Sequence, residues 1–441
     1  MRVLYIMRKN LLASTIAAAL AASPIVSFAS EAELLQRIEK LAAELEKVKT
    51  ELAATKQKTE VVEKRQDSLA VAQPASSGTS SNQSAAGISI GPQTVITGYG
   101  EVNYNRPTKN TSQTQTDLRR AVIGIQHRFD DKTKVVTEFE WEHAIASADD
   151  AGESEVEQLY VEREFNNGLR AKAGLFLIPA GLLNANHEPT AYYGVERNFV
   201  ETAIIPSTWR EAGIGLSSTF DNGLTWDLGL TTGFDLTKWD ATSTEGRESP
   251  LGSIHQEGQL AKSRDLSGHA ALNWRGVPGL LLGGSVFTGK AGHGTAGFTA
   301  PSARITLWDL HGRYTPGRWD LSTVYARGTI SNVEQFNLTL AGNPTPVPSS
   351  FFGWYTQAAY QLWKSGDYTL TPFIRYERFN TAKTYSTMPA GLEVPVLSDE
   401  KVITLGTNFK IGEGVVLKAD YQKFKEDTTL NRIDLGLGYA F

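Results

Sequence analysis

The residues of this chain best placed to do chemistry are charges set at every second position. Arg120 with Arg128, Glu138 with Glu140, Arg170 with Lys172, and Arg375 with Glu377 each recur in runs whose intervening residues are mostly apolar or small. A period of two puts such residues on one face of a β-strand. A strand face carrying both signs makes and breaks no bonds; it attracts, orients and screens ions. The candidates for that role are Arg120, Arg128, Glu138, Glu140, Arg170, Lys172 and Arg375. Glu188, Glu196 and Arg197 join them from a long segment between strands. In water one pair of charges at contact is worth only about 1 kcal/mol, and salt weakens it further. A strong preference for one ion therefore needs several like charges converging on one point. Acids and bases are instead close to balance, and the net charge is -5.

Bond-making chemistry leaves little trace. The seven histidines include no His-x-x-x-His pair. Cysteine is absent, which removes thiolate metal sites, disulfides and a lipoprotein anchor. Asp149, Asp150, Glu153 and Glu155 could chelate calcium from a loop, but a plain acidic hairpin accounts for them. We expect no catalytic residue, no metal and no cofactor, hence no enzyme. The slightly acidic balance gives no reason to invoke nucleic acid.

The elements that must position these charges are strands. Sixteen candidates run from about Val95 to Phe441, and their connections alternate short and long. Short ones, such as Asp221-Asn-Gly223, Pro316-Gly317 and Lys364-Ser-Gly366, carry tight-hairpin residues. Long ones include Ile178–Trp209, Asp235–Ser263, Thr329–Ser350 and Asn380–Glu400. Short turns at one end and long loops at the other describe an all-β, 16-stranded antiparallel transmembrane barrel. A Lys or Arg on its lipid face costs roughly 2–4 kcal/mol at mid-membrane. That cost turns Arg120, Gly124 and Gln126 inward and Ala121, Ile123 and Ile125 outward. By the same logic Asp227, Arg375, Glu377, Lys418 and Asp420 point into the lumen. Strand-end aromatics such as Phe129, Phe220, Trp274, Trp319 and Trp363 suit interfacial girdles.

The two ends carry addresses. The last strand alternates Ile433, Leu435, Leu437, Tyr439 and Phe441 with polar or small residues and stops on an aromatic. Terminal strands of outer-membrane barrels look like this, so Tyr439 and Phe441 are the expected signal to the barrel assembly machinery. At the other end, Arg8 and Lys9 precede an apolar run closed by Ser27-Phe-Ala29. That pattern predicts a signal peptide over 1–29, with translation beginning at Met1 or Met7. Between Leu34 and Leu69, eleven positions fall at alternating spacings of four and three, an unbroken heptad seam. It predicts a periplasmic coiled coil over 30–70. An uncharged Ser/Ala/Gly/Gln/Pro stretch then reads as a flexible linker over 71–87, and the barrel domain as 88–441.

One stretch resembles a known family. Gly174-Leu-Phe-Leu-Ile-Pro179-Ala-Gly181-Leu leads through Glu196-Arg197 to Ile204-Ile-Pro206-Ser-Thr-Trp209-Arg-Glu-Ala-Gly213. This resembles the fifth strand, third loop and sixth strand of the phosphate-selective porin O and P family. Leu118-Arg-Arg-Ala121, Tyr160-Val-Glu162, Leu405-Gly-Thr-Asn408 and Lys418-Ala-Asp-Tyr421 extend the likeness over most of the chain after Gly98. The resemblance implies a homotrimer in outer-membrane lipid, its third loop folded inward as a constriction. It also implies passive diffusion of small hydrophilic solutes, including anions such as phosphate. Phosphate-specific members place a lysine cluster at the constriction, whereas 178–209 contains no Lys and only Arg197 as a cation. Weak charge preference is therefore expected. The alternative is a structural or adhesive protein whose coiled coil links the outer membrane to another envelope layer.

Overall fold

Alternation of outward apolar and inward polar residues runs through sixteen long strands, and in a computed structural model these close on themselves. The structure describes residues 88–89 and 93–441, except 148, 166–167, 390, 391, 393 and 395. The expected signal peptide over 1–29, coiled coil over 30–70 and linker over 71–87 lie outside the described residues.

The strands are β1 (Thr94–Pro107), β2 (Gln115–Arg128), β3 (Thr133–Glu142), β4 (Ser154–Glu164), β5 (Arg170–Leu177), β6 (Arg210–Thr219), β7 (Leu224–Thr231) and β8 (Ser267–Trp274). They continue with β9 (Leu280–Lys290), β10 (Arg304–Tyr314), β11 (Trp319–Ser331), β12 (Ser350–Tyr360), β13 (Tyr368–Thr384), β14 (Glu400–Ile411), β15 (Val415–Phe424) and β16 (Arg432–Ala440). Each pairs antiparallel with its sequence neighbours, and β16 returns to β1, from Arg432 opposite Pro107 to Ala440 opposite Tyr99. Two short strands, Ile88–Ser89 and Trp363–Ser365, pair with β1 and β13. Closure leaves no unpaired edge, which a wall facing hydrocarbon requires.

Strand faces follow the cost argument. Ile123, Ile214, Leu228, Leu310, Ile374, Leu405 and Leu435 are exposed on the outside. Arg120, Asp227, Arg375, Glu377, Lys418 and Asp420 are buried inside. The closing seam has its own device. The rings of Tyr439 and Phe441 lie parallel over Gly100 and Gly98 of β1. A Cβ at Gly98 would sit 2.7 Å from the Phe441 ring, so only glycine admits that ring. Phe441 N donates to Gly98 O at 2.9 Å, and Gly98 N donates to Phe441 O at 3.1 Å.

Strand limits shift where loops pack. The alternation predicts a seventh strand reaching Phe234, but β7 stops at Thr231. Phe234 instead packs inward against Trp209 and Phe287, with ring centroids 5.2 and 5.5 Å away. It belongs to an apolar cluster with Leu236, Trp239, Leu251 and Ile254 of the following loop and Val333 and Val347 of a later one. Trp239 Nε1 donates to Thr345 O at 2.9 Å, tying these two loops together. The long-loop end of the barrel is thus a packed layer, its core continuous with wall residues such as Phe287, Val324 and Phe351.

Candidate functional site

The segment between β5 and β6, Ile178–Trp209, enters the barrel instead of standing above it. Its apolar residues explain why. Ile178, Val200, Ile204, Ile205 and Trp209 are all 1% exposed or less. Burying each such side chain is worth roughly 1.5–3 kcal/mol. Val200 and Ile204 sit against Gly353 of β12, and Phe199 stacks on Phe379 of β13 at 5.2 Å.

Polar contacts then fix the loop's course. His187 Nε2 lies 2.8 Å from the Tyr99 hydroxyl of β1 and 2.7 Å from Glu157 of β4. Tyr192 donates to Glu101 of β1 at 2.7 Å, while its carbonyl accepts from Asn408 of β14. Val195 N donates to Asp420 of β15 at 2.6 Å, and Phe199 N to Glu377 of β13 at 2.7 Å. Glu201 closes the loop on itself and on the wall. Its carboxylate accepts from Leu182 N at 2.5 Å, Leu183 N at 2.7 Å, Asn198 Nδ2 at 2.8 Å and the Tyr355 hydroxyl of β12 at 3.0 Å.

The loop leaves a water-accessible cavity of about 390 Å³ against the opposite wall. The loop side is Gly181, Leu182, Leu183, Asn186, Ala191, Tyr192, Tyr193 and Asn198. The wall side carries His311, Arg313, Asp320, Tyr355, Gln357 and Arg375, with Arg275 and Val277–Leu281 at the short-turn end. Arg313 grips Asp320 through two bonds of 2.9 and 2.6 Å, and the Tyr193 hydroxyl donates to the same carboxylate at 3.1 Å. Arg375 Nε donates to Glu377 at 2.7 Å. Its Nη2 is buried without a hydrogen-bond partner among the described residues. Three guanidinium groups and one aspartate therefore line this space.

Of the ten lumen candidates named from sequence, Arg375 alone lines that cavity. Arg120 lies deep in the wall, 2.8 Å from Glu101 and 3.8 Å from Glu140. Lys172 sits over the Phe176 ring at 4.2 Å and 3.9 Å from Asp227. Arg170 reaches Thr219 at 3.4 Å, and Glu138 bonds Gln158. Arg120, Glu138, Arg170 and Lys172 thus make separate local contacts. Glu196 accepts from Asn103 and Asn105 at 3.2 and 3.3 Å. Arg197 bonds Ser207, Thr208 and the carbonyl of His187, and so braces the loop internally. Glu188, on the loop, and Arg128, near the end of β2, are half-buried. Tyr439 and Phe441 sit at the seam described above.

Sequence reasoning missed Arg275, which stood in a turn. Its signal was legible: Ser267, His269, Ala271 and Asn273 face inward, and the next odd position is Arg275. Tyr193 and Tyr355 were also missed, because nothing local distinguishes them from girdle aromatics.

Comparison with known proteins identifies the architecture. OmpF of Salmonella typhi, solved in complex with daunomycin, superposes with a TM-score of 0.54 at 14% identity, over 79% of this chain and 97% of that one. The fold is that of an outer-membrane porin. The outer membrane channel DcaP of Acinetobacter baumannii gives 0.49 at 13% identity over 81% of this chain and 100% of its own. An uncharacterized protein of Aquifex aeolicus (strain VF5) is 28% identical over 359 residues, 78% of each chain. No family model matches the chain.

Proposed function

We propose that this protein is a passive diffusion channel of the bacterial outer membrane for small hydrophilic solutes, with a weak preference for anions. The observation that carries this is the inward loop: 178–209 crosses the lumen and leaves a cavity of about 390 Å³ lined by three arginines. The preference is weak because two of those arginines already face carboxylates, Asp320 and Glu377. A discrete phosphate site of the kind suggested by the resemblance to phosphate-selective porins needs several uncommitted cations at one point. Arg275 and the free edge of Arg375 are the available ones.

The same reading places the short turns and both barrel ends on the periplasmic side. An even strand number puts them there together, so a coiled coil over 30–70 would extend into the periplasm and help hold a homotrimer. The inward bases and acids contact the solute in passing; none acts as a catalyst. Liposome swelling tests the channel directly. Reconstituted protein should admit small neutral sugars at rates that fall steeply with sugar size. Liposomes that swell no faster than protein-free ones would sink the channel reading and leave the structural or adhesive role.

A further inference from the structure

The outer wall carries a second charged surface that the channel does not use. At the long-loop ends of β13, β14 and β15 the outward positions are Arg378, Lys401 and Lys423, with Lys425 just beyond β15. Their orientation follows from their neighbours: Ile374, Ile403 and Tyr421 lie on the same alternating faces and are exposed outside. The bases are cross-strand neighbours. Arg378 stands directly opposite Lys401, Lys401 O accepts from Lys425 N, and Ile403 stands opposite Lys423. Like charges directly opposite one another on a sheet face are destabilising.

Nearby acids do not balance them. Arg378 shares Asp399 with Lys383. Glu400 spends its carboxylate on the backbone N–H groups of Lys401, Lys425, Glu426 and Asp427. Asp427 caps Thr429, and Glu426 is exposed on the turn. Among the described residues, Lys401, Lys423 and Lys425 have no ion-pair partner. The arrangement repeats nearby: Lys290 of β9 stands directly opposite Arg304 of β10, both outward.

The level of this cluster is set by aromatics. Trp308 and Tyr325 pair at 5.3 Å, and Trp354 and Tyr376 at 5.4 Å, on four successive strands. Such a row marks the membrane–water interface. Arg378 lies two residues beyond Tyr376, and Lys423 two beyond Tyr421, about 7 Å further toward the loops. That is where the headgroups of the surrounding leaflet begin.

We infer that the outward cluster Arg378, Lys401, Lys423 and Lys425 binds the phosphate groups of outer-leaflet lipids. The inference rests on the outer-membrane reading, but not on conduction. A phosphate bridging two opposed cations removes their repulsion and gains charge-assisted hydrogen bonds. The site faces lipid, so its occupant is a lipid headgroup and not a solute in transit.

Native mass spectrometry of the full protein with added bisphosphorylated lipid A tests this. Wild-type protein should retain lipid A, and should retain dephosphorylated lipid A far less. Excess inorganic phosphate should not displace the bound lipid. The Lys401→Gln/Lys423→Gln double variant should bind roughly thirtyfold more weakly, at one membrane-surface charge per residue. Lys401→Arg/Lys423→Arg should bind like wild type. Equal retention of the dephosphorylated lipid, displacement by inorganic phosphate, or undiminished binding by the glutamine variant would each overturn the inference. So would a glutamine variant that loses its oligomer while keeping its lipid, since the face would then be a protein contact. Liposome swelling by the glutamine variant separates this result from failure of the channel reading, because the variant should conduct normally.

Discussion

Removing the Glu201 carboxylate should loosen the inward loop by an amount that can be worked from its contacts. Four donors converge on this buried side chain: Leu182 N, Leu183 N, Asn198 Nδ2 and the Tyr355 hydroxyl. In Glu201→Ala the Asn198 and Tyr355 side chains can rotate toward other partners, but the two backbone N–H groups cannot. Each buried donor left unpaired costs about 1–3 kcal/mol, so roughly 3 kcal/mol is a moderate expectation for the two. That raises the fraction of time the loop is undocked by roughly 100- to 200-fold. Local opening of this kind is read by hydrogen exchange. The Leu182 and Leu183 amides should exchange faster by that factor, while the central strands keep their protection. Single-channel traces of the variant should flicker between levels. Tyr355→Phe, which loses one bond, should accelerate exchange by about fivefold to tenfold. If the Glu201→Ala amides exchange within about twofold of wild type, the reasoning from unsatisfied donors fails.

Other expectations follow from the seam, the rim and the N-terminal segment. Phe441→Ala should lower the yield of folded, heat-modifiable barrel several-fold, and Gly98→Val should do the same by displacing the Phe441 ring. Normal yields in both would remove the seam from the assembly account. At the rim, burial pushes the Asp399 carboxyl up, but hydrogen bonds from Lys383, Asn380 and Arg378 outweigh it and hold the pKa down at about 2. A depressed carboxyl contributes stability above its unfolded pKa and loses it as pH falls through the folded one. Protease resistance around residue 399 should therefore weaken between about pH 4 and pH 2 in wild type, and Asp399→Asn should flatten that dependence. Deleting 31–70 should lower the temperature at which the oligomer dissociates in gel electrophoresis; an unchanged temperature would exclude the heptad seam as a main contributor.

The barrel was legible because its alternation is local. Each of the sixteen expected strands corresponds to one observed. Inward and outward faces followed from the cost of charge in hydrocarbon, as at Asp227 and Arg375. The site was less legible, since alternation says that Arg120 faces the lumen but not that Glu101 and Glu140 enclose it. Which inward residues stay wet depends on where the third loop lands. That is decided by contacts far apart in sequence, such as Val195 with Asp420. The loop layer around Trp239 and Leu251 was illegible because irregular segments have no periodicity to read. Arg275 was readable in principle, by carrying the alternation one step past the end of β8.

Current through single reconstituted channels in a potassium chloride gradient bears most directly on the central claim. The account predicts a steady open conductance whose reversal potential is displaced modestly toward chloride. In Arg375→Gln that displacement should shrink, because one of three cavity-lining arginines is removed. No conductance at all would contradict the channel. Micromolar block of the chloride current by phosphate would contradict the weak preference and establish a specific anion site instead.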